Sequence, residues 1–294
     1  MNESFKLIFK YFKRYRNRLF IGIIGLLAVD GLQIFIPWMI KHAIDLLTDN
    51  PENYQQTLKY GVYILLLAVG VGLSRFLWRY YIIGISRRVE MHLRNRFYHH
   101  LQRLSYSYFD KTSVGDLMAH ATNDLEAVRM MCGMAIVASM DAALLMIASL
   151  IMMLTIDLSL TFYVLIPMPI VTLMVLKLGP LMHARFMNVQ ARFSDISEKA
   201  QETFAGIRVV KSFVQESSES ENFKTINQGY VDDNMRLVKV WGLMHPLIWT
   251  IGGFCGVIIL LAGGNRVIDG SMTMGDFVAF NSYLGTLMWP MIAI

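Results

Sequence analysis

Charge is scarce in this chain. Only 17% of its 294 residues are Asp, Glu, Lys or Arg, where soluble globular domains carry about 25%. The mean hydropathy is +0.44. The deficit argues against an ordinary soluble domain and for a membrane protein. Cysteine is nearly absent too. Cys132 and Cys255 each sit inside an apolar run, where an isolated thiol serves as a small apolar residue, with no disulfide framework and no metal site. Proline is missing between Pro51 and Pro167 and again between Pro180 and Pro246, so nothing in those stretches must break a helix. The formal charge of +5 would suit nucleic acid, but basic residues that flank apolar spans face a cytoplasmic membrane surface instead.

What is present is length of apolar run. A helix needs roughly 20 apolar residues to cross a bilayer, and six stretches meet or approach this: 19–40, 58–78, 131–156, 158–177, 240–262 and 277–294. The first is too long for a signal-peptide core and has no small-residue cleavage site after it. Residues 1–18 hold six Lys/Arg, residues 75–129 nine and residues 177–239 nine; only Lys41, Lys59 and Arg266 lie elsewhere. The positive-inside bias predicts a multi-pass protein of the plasma (inner) membrane with its amino terminus and both long connections in the cytoplasm. Ahead of the first span, Phe5, Ile8, Phe9 and Phe12 oppose Lys6, Lys10, Lys13 and Arg14. That pattern predicts an amphipathic interfacial helix over residues 1–18; a plain basic flank fits the same charges.

The long connections, about 79–130 and 178–239, carry helical stripes. Ile85, Val89, Leu93, Phe97, Leu101 and Leu104 recur at helical spacing, as do Phe186, Val189, Phe193, Ile196, Ala200 and Ile207. The membrane helices are expected to run on as arms, about 25 residues carrying each on the order of 35 Å past the bilayer; a separate soluble hairpin is the alternative. Each arm must reverse once. In the first, Ser113 followed by Asp116 has the form of a capping box, with Gly115 between them. In the second, Gly206 precedes a short mixed segment and Ser217–Ser218 is expected to precede the next helix. A solvated turn is the plain reading of both, but Phe213 and Val214 at an outermost tip suggest a partner.

Three stretches carry a family resemblance. "FDKTSVGDLMAHATNDLEAVR", "QETFAGIRVVKSFVQE" and "GSMTMGDFVAFNSYLGTLMWP" resemble, in order, the first intracellular loop, the second intracellular loop and the entry to the sixth helix of ABC exporter half-transporters, of the bacterial multidrug-resistance-like kind. The resemblance implies an all-α, six-span type I exporter bundle over residues 19–294, with two coupling helices. His120 stands where that family usually has Arg, which would weaken a salt bridge there. No G-x-x-x-x-G-K-[ST] phosphate loop occurs, so the chain is expected to be non-catalytic, the membrane part of a longer protein.

By that resemblance, Thr112, Ser113, Val114, Gly115, Asp116 and Leu117 form one coupling tip. Val209, Val210, Lys211, Ser212, Phe213, Val214 and Gln215 form the other, which meets the nucleotide-binding domain of the opposite subunit with Phe213 as its plug. The implied partners are two nucleotide-binding domains carrying ATP and Mg, a second half-transporter (identical or not), the lipid bilayer and a small amphipathic substrate; nucleic acid is not expected. Asp30, Arg75, Arg79, Asp141, His245 and Asn281 lie in or near apolar runs, where a charge costs about 2.5 kcal/mol or more at mid-bilayer. They, with Trp289, are the candidate cavity residues, although Arg75 and Arg79 could instead snorkel to headgroups. The 21 Met residues suit an adaptable pocket or ordinary span packing equally. A lipid or peptide exporter would use the same frame. A stand-alone membrane transporter or scaffold is the alternative, but the discontinuous helices or paired repeats usual in secondary carriers are not evident in the sequence.

Overall fold

A computed structural model describes residues 3–49 and 54–293. The described residues form helices and no strand. We number them α1 (Glu3–Arg14), α2 (Arg16–Asp49), α3 (Gln55–Leu101), α4 (Tyr106–Phe109), α5 (Val114–Ile156), α6 (Leu158–Ala205), α7 (Ile207–Ser212), α8 (Glu216–Ile268) and α9 (Met274–Ala293). Five of these, α2, α3, α5, α6 and α8, are long and apolar enough to cross a membrane. The sixth expected span falls on α9, which has 20 residues but is diluted by Asp276, Asn281 and Ser282.

The arms are helical continuations of spans, as the stripes predict. α3, α5, α6 and α8 run 47, 43, 48 and 53 residues, far beyond what a bilayer requires. One feature was not anticipated: α6 is interrupted by a bend at Ile166–Pro167. Pro167 has no amide hydrogen to continue the ladder, and its fixed φ suits the start of the next helical stretch instead. Short π-helical turns at Arg79–Ile83, His120–Asp124, Met131–Ala135 and Ile259–Gly263 insert single-residue bulges into α3, α5 and α8.

The chain divides into two units, Met1–Thr161 with Ile259–Ile294, and Phe162–Ile258. In the first, α2 and α3 approach closely because glycine lines the contact. A Cβ at Gly22 would lie 2.5 Å from Ile82, and one at Gly25 would lie 3.2 Å from the Trp78 backbone. Lipid tails are as apolar as the side chains, so van der Waals fit of this kind, more than water exclusion, holds spans together. Leu26, Val29, Trp78, Ile82 and Val137 form the resulting core. A second cluster, Ile85, Val89 and Cys132, receives Tyr11, Phe12, Tyr15 and Leu19 from the amino-terminal segment. There the Tyr15 hydroxyl meets His92 Nε2 at 2.9 Å and Tyr11 stacks on the same ring.

α9 closes this unit. Phe280 and Tyr283 are fully buried, and the Tyr283 hydroxyl donates to the Ile34 carbonyl at 3.0 Å. The bond ties α9 to the turn of α2 that precedes Pro37. At the other end of α9, Lys41 pairs with Asp276 at 2.6 Å and the Gly275 amide donates to Asp45 Oδ1 at 2.8 Å. The α5–α6 turn is organised by Asp157, whose carboxylate caps α6 through the Leu160 amide at 2.8 Å and pairs with Arg266. Partial burial alone would raise the Asp157 carboxyl, but the Leu160 amide and Arg266 outweigh it and hold it below its ordinary value.

In the second unit the α6 and α8 arms pair lengthwise. Arg192 of α6 donates to Asp233 of α8 at 3.1 Å, and Arg236 joins at 2.8 Å. Lys199 reaches Glu219 at 2.8 Å. The Cys255 thiol donates to the Val164 carbonyl at 3.7 Å, so this cysteine is held as an inert buried group.

Candidate functional site

The two reversals are built differently. In the first, α3 ends near Leu101, α4 occupies Tyr106–Phe109, and α5 starts at Val114. The extended backbone of Ser113 puts its hydroxyl 3.1 Å from the Asp116 amide, the N-cap bond expected from the sequence. A four-residue helix, Tyr106–Phe109, lies ahead of this cap. Thr112 and Ser113 lead into the helical segment Val114–Ala119, which carries Gly115, Asp116 and Leu117 and runs on into the long α5. Of these, Leu117 is buried while Val114 is exposed.

The second reversal has its short helix at Ile207–Ser212, so Val209, Val210, Lys211 and Ser212 are helical and Phe213, Val214 and Gln215 follow it. The Gln215 amide donates to the Val210 carbonyl at 2.9 Å and the Val214 amide to that of Lys211 at 3.4 Å. These two bonds define a Schellman closure, whose C′ position demands a left-handed backbone. Glycine normally fills it; here it is Val214, at φ 52°. α8 then starts at Glu216 rather than after Ser217–Ser218: the Glu219 amide donates to the Gln215 carbonyl at 3.0 Å, and Lys211 pairs with Glu216 at 2.8 Å across the closure. The tip presents Phe213 and Val214 at 71% and 79% exposure.

A β-branched residue in the left-handed region costs about 1–2 kcal/mol. Val214→Gly in the full-length protein is therefore expected to steady the tip by about 1 kcal/mol, slowing hydrogen exchange of its closing amides roughly fivefold. Unchanged or faster exchange would show that Val214 carries no strain.

Charge holds each tip to its arm. Glu219 supports the second tip from α8. The Lys199 ammonium bonded to it holds its carboxyl below the usual range, and the Lys199 amine is raised in turn by Glu219. Below the first tip, the Glu90 carboxylate of α3 collects Arg94 at 2.7 Å, Arg87 at 3.6 Å and Arg129 of α5 at 3.6 Å, tying the two helices of that arm. Glu90 was not singled out in the sequence, although arginines at i−3 and i+4 were a visible signal. His120 bonds Asp124 at 2.5 Å, and that bond raises its imidazole. The polar link expected to weaken here is thus made within one turn of α5.

The intramembrane polar residues do not form a single cluster. Arg75 of α3 donates to Gln33 Oε1 of α2 at 3.4 Å, one turn from Asp30, and Asp141 lies one turn beyond Val137, which packs with Leu26 of α2 in one core. Arg79 lies over the Trp78 ring. Asn281 and Trp289 are exposed along α9. His245 sits in the second unit with its ring edge-on to Trp241. Next to it, an apolar pocket of about 370 Å³ is lined by Met182, His183, Phe186, Leu237, Val238 and Trp241. No cluster of three or more metal-ligating side chains occurs among the described residues.

The sequence profile of the ABC transporter transmembrane region matches residues 19–291. The chain belongs to this family. It is similar to the multidrug resistance-like ATP-binding protein MdlA of Escherichia coli, 32% identical over 286 residues, which is 97% of this chain and 48% of that protein. A probable multidrug resistance ABC transporter ATP-binding/permease protein, YheI of Bacillus subtilis, is 30% identical over 97% of the chain and 49% of its own length. An ATP-dependent lipid A-core flippase of Syntrophus aciditrophicus is 26% identical over 98% and 48%. The chain thus spans about half the length of these curated relatives. As an ABC transporter transmembrane region it is a multi-pass membrane protein, and its long apolar helices agree with that membership.

Proposed function

We propose that this chain is the substrate-conducting half of an ATP-driven exporter of amphipathic compounds. α2, α3, α5, α6, α8 and α9 are its six spans, with the amino terminus and both arms cytoplasmic. The observation that carries this reading is the pair of long arms ending in closed tips, one of which holds Phe213 and Val214 out in water. Exposed apolar groups at the end of a rigid lever are suited to a groove on another domain. ATP-driven approach of two nucleotide-binding domains, one bound by each tip, would draw the arms together and tilt the spans from inward- to outward-facing. The chain itself supplies no phosphate loop, so ATP and Mg belong to those domains. A second half-transporter completes the pathway, and Arg75, Arg79, Asp141, His245, Asn281 and Trp289 are the polar and aromatic candidates to line it; Asp30, at 4% exposure, is packed between helices instead.

The lipid A-core flippase among the relatives favours an amphipathic lipid as a second substrate class. A stand-alone carrier has one feature in its favour, the break at Ile166–Pro167. No other apolar span among the described residues is broken in that way, so the paired discontinuities of secondary carriers are not reproduced. The test is ATP hydrolysis by the full-length protein in proteoliposomes, with a panel of drug-like and lipid compounds. Stimulation by members of the panel is the expected result. A full-length protein with no ATPase activity and no encoded phosphate loop would overturn the reading.

A further inference from the structure

Asp30 sits near the middle of α2 with a side chain only 4% exposed, and neither of its carboxyl oxygens meets a hydrogen-bond donor. A carboxyl group in that position is expensive. An ionised one buried without partners costs several kcal/mol, so the protein must compensate for it. Three helices pack against α2 here. From α5 comes Asp141: Leu26 of α2 and Val137 of α5 share one core cluster, and Asp30 and Asp141 each follow four residues on, one turn along the same helix face. From α3 comes Arg75, which acts on Asp30 through its charge but spends its hydrogen bond on Gln33. From α9 comes Tyr283, whose hydroxyl is committed to the Ile34 carbonyl.

Two facing carboxylates have no proton with which to bond each other, and their like charges repel. One added proton resolves both difficulties. One carboxyl then donates an O–H to the other, and the remaining single negative charge is balanced by Arg75. Other occupants fit poorly. A metal cation would need about six oxygen ligands, more than two carboxyl groups and the Gln33 carbonyl freed by Pro37 supply. An organic cation needs open volume, which a side chain at 4% exposure does not offer.

We propose that Asp30 and Asp141 form an intramembrane proton-binding site, a carboxyl–carboxylate pair that holds one proton between α2 and α5. The proton is taken from and returned to bulk water, with no other bond made or broken. The pair exists only while α2 and α5 keep this register. Motion that parts the two carboxyls changes proton affinity, and by reciprocity proton binding biases the helices toward this arrangement.

Infrared spectroscopy of the full-length protein in lipid nanodiscs at neutral pH tests this directly. The expected result is a protonated-carboxyl C=O band equivalent to one group per protomer, shifting on exchange into D2O and lost in the Asp30→Asn, Asp141→Asn double variant. No protonated-carboxyl band in the unmodified protein would overturn the proposal, without needing any variant to fold. A band retained in full by a double variant that elutes as the parent does would overturn it too. ATPase activity of the same unmodified preparation reports on the exporter reading separately, because it has no bearing on whether the band is present.

Discussion

Phe213→Ala in the full-length protein is expected to uncouple transport from ATP hydrolysis while leaving membrane insertion and fold intact. Phe213 makes no contact that α7 needs. Its backbone amide closes the helix through the Val209 carbonyl at 3.0 Å, and alanine retains that bond. What is lost is a large apolar side chain at 71% exposure on the outermost turn. Anchors of this kind in a partner's pocket are worth about 2 kcal/mol or more, so docking should weaken roughly 30-fold. The measurement is substrate moved per ATP hydrolysed in proteoliposomes. A fall in that ratio with basal hydrolysis retained is the expected outcome. An unchanged ratio would remove Phe213 from the proposed coupling contact.

The largest expected effect on stability comes from Gly275→Ala. Gly275 lies where the start of α9 touches α2, and a Cβ there would sit 2.5 Å from Asp45 Oδ1 and closer still to the Lys41 backbone carbonyl. A carbonyl in a helix cannot swing aside as a side-chain end can, so α9 itself would have to move. That displacement would cost the Gly275–Asp45 hydrogen bond and disturb the Lys41–Asp276 pair. Overpacking of this sort costs about 1–3 kcal/mol. The lost hydrogen bond to a charged acceptor adds about 1.5–3 kcal/mol. Gly285→Ala is the control. No atom lies within 4 Å of a Cβ placed there, and alanine is the better helix former. Thermal denaturation in detergent, followed by size-exclusion chromatography, should put Gly275→Ala well below the parent and Gly285→Ala at or above it. Equal melting of the two variants would mean that α9 does not dock through Gly275.

The properties legible in the sequence were those set by composition and spacing. Apolar runs located the five helices long and apolar enough to cross a membrane, and the sixth run falls on α9. The stripe from Ile85 to Leu101 made α3 continue as an arm, and Ser113 with Asp116 marked the start of α5. Such features depend on a residue's own neighbours along the chain, within about one helical turn. Even here the reading slipped where backbone chemistry counted. Pro167 stood visibly inside an apolar run and broke α6. A further short helix, Tyr106–Phe109, stands ahead of the cap at Ser113. The backbone ladder of α8 began at the Gln215 carbonyl, ahead of Ser217–Ser218.

The tertiary structure alone decided which distant residues meet. Asp30 and Asp141 are 111 positions apart, and nothing along the chain marks them as neighbours; the glycine-lined contacts of α2 with α3, and the shared core with α5, set their register. Gly275 is an ordinary first-turn helix glycine until α2 brings Asp45 and Lys41 against it. Val214 is an ordinary exposed valine until the bonds from its own amide and that of Gln215 force it into the left-handed region. In each case the sequence determined the chemical groups and the helices that carry them. Packing determined their partners, because side-chain contact in a helical bundle depends on interhelical register, which a period of 3.6 residues does not encode.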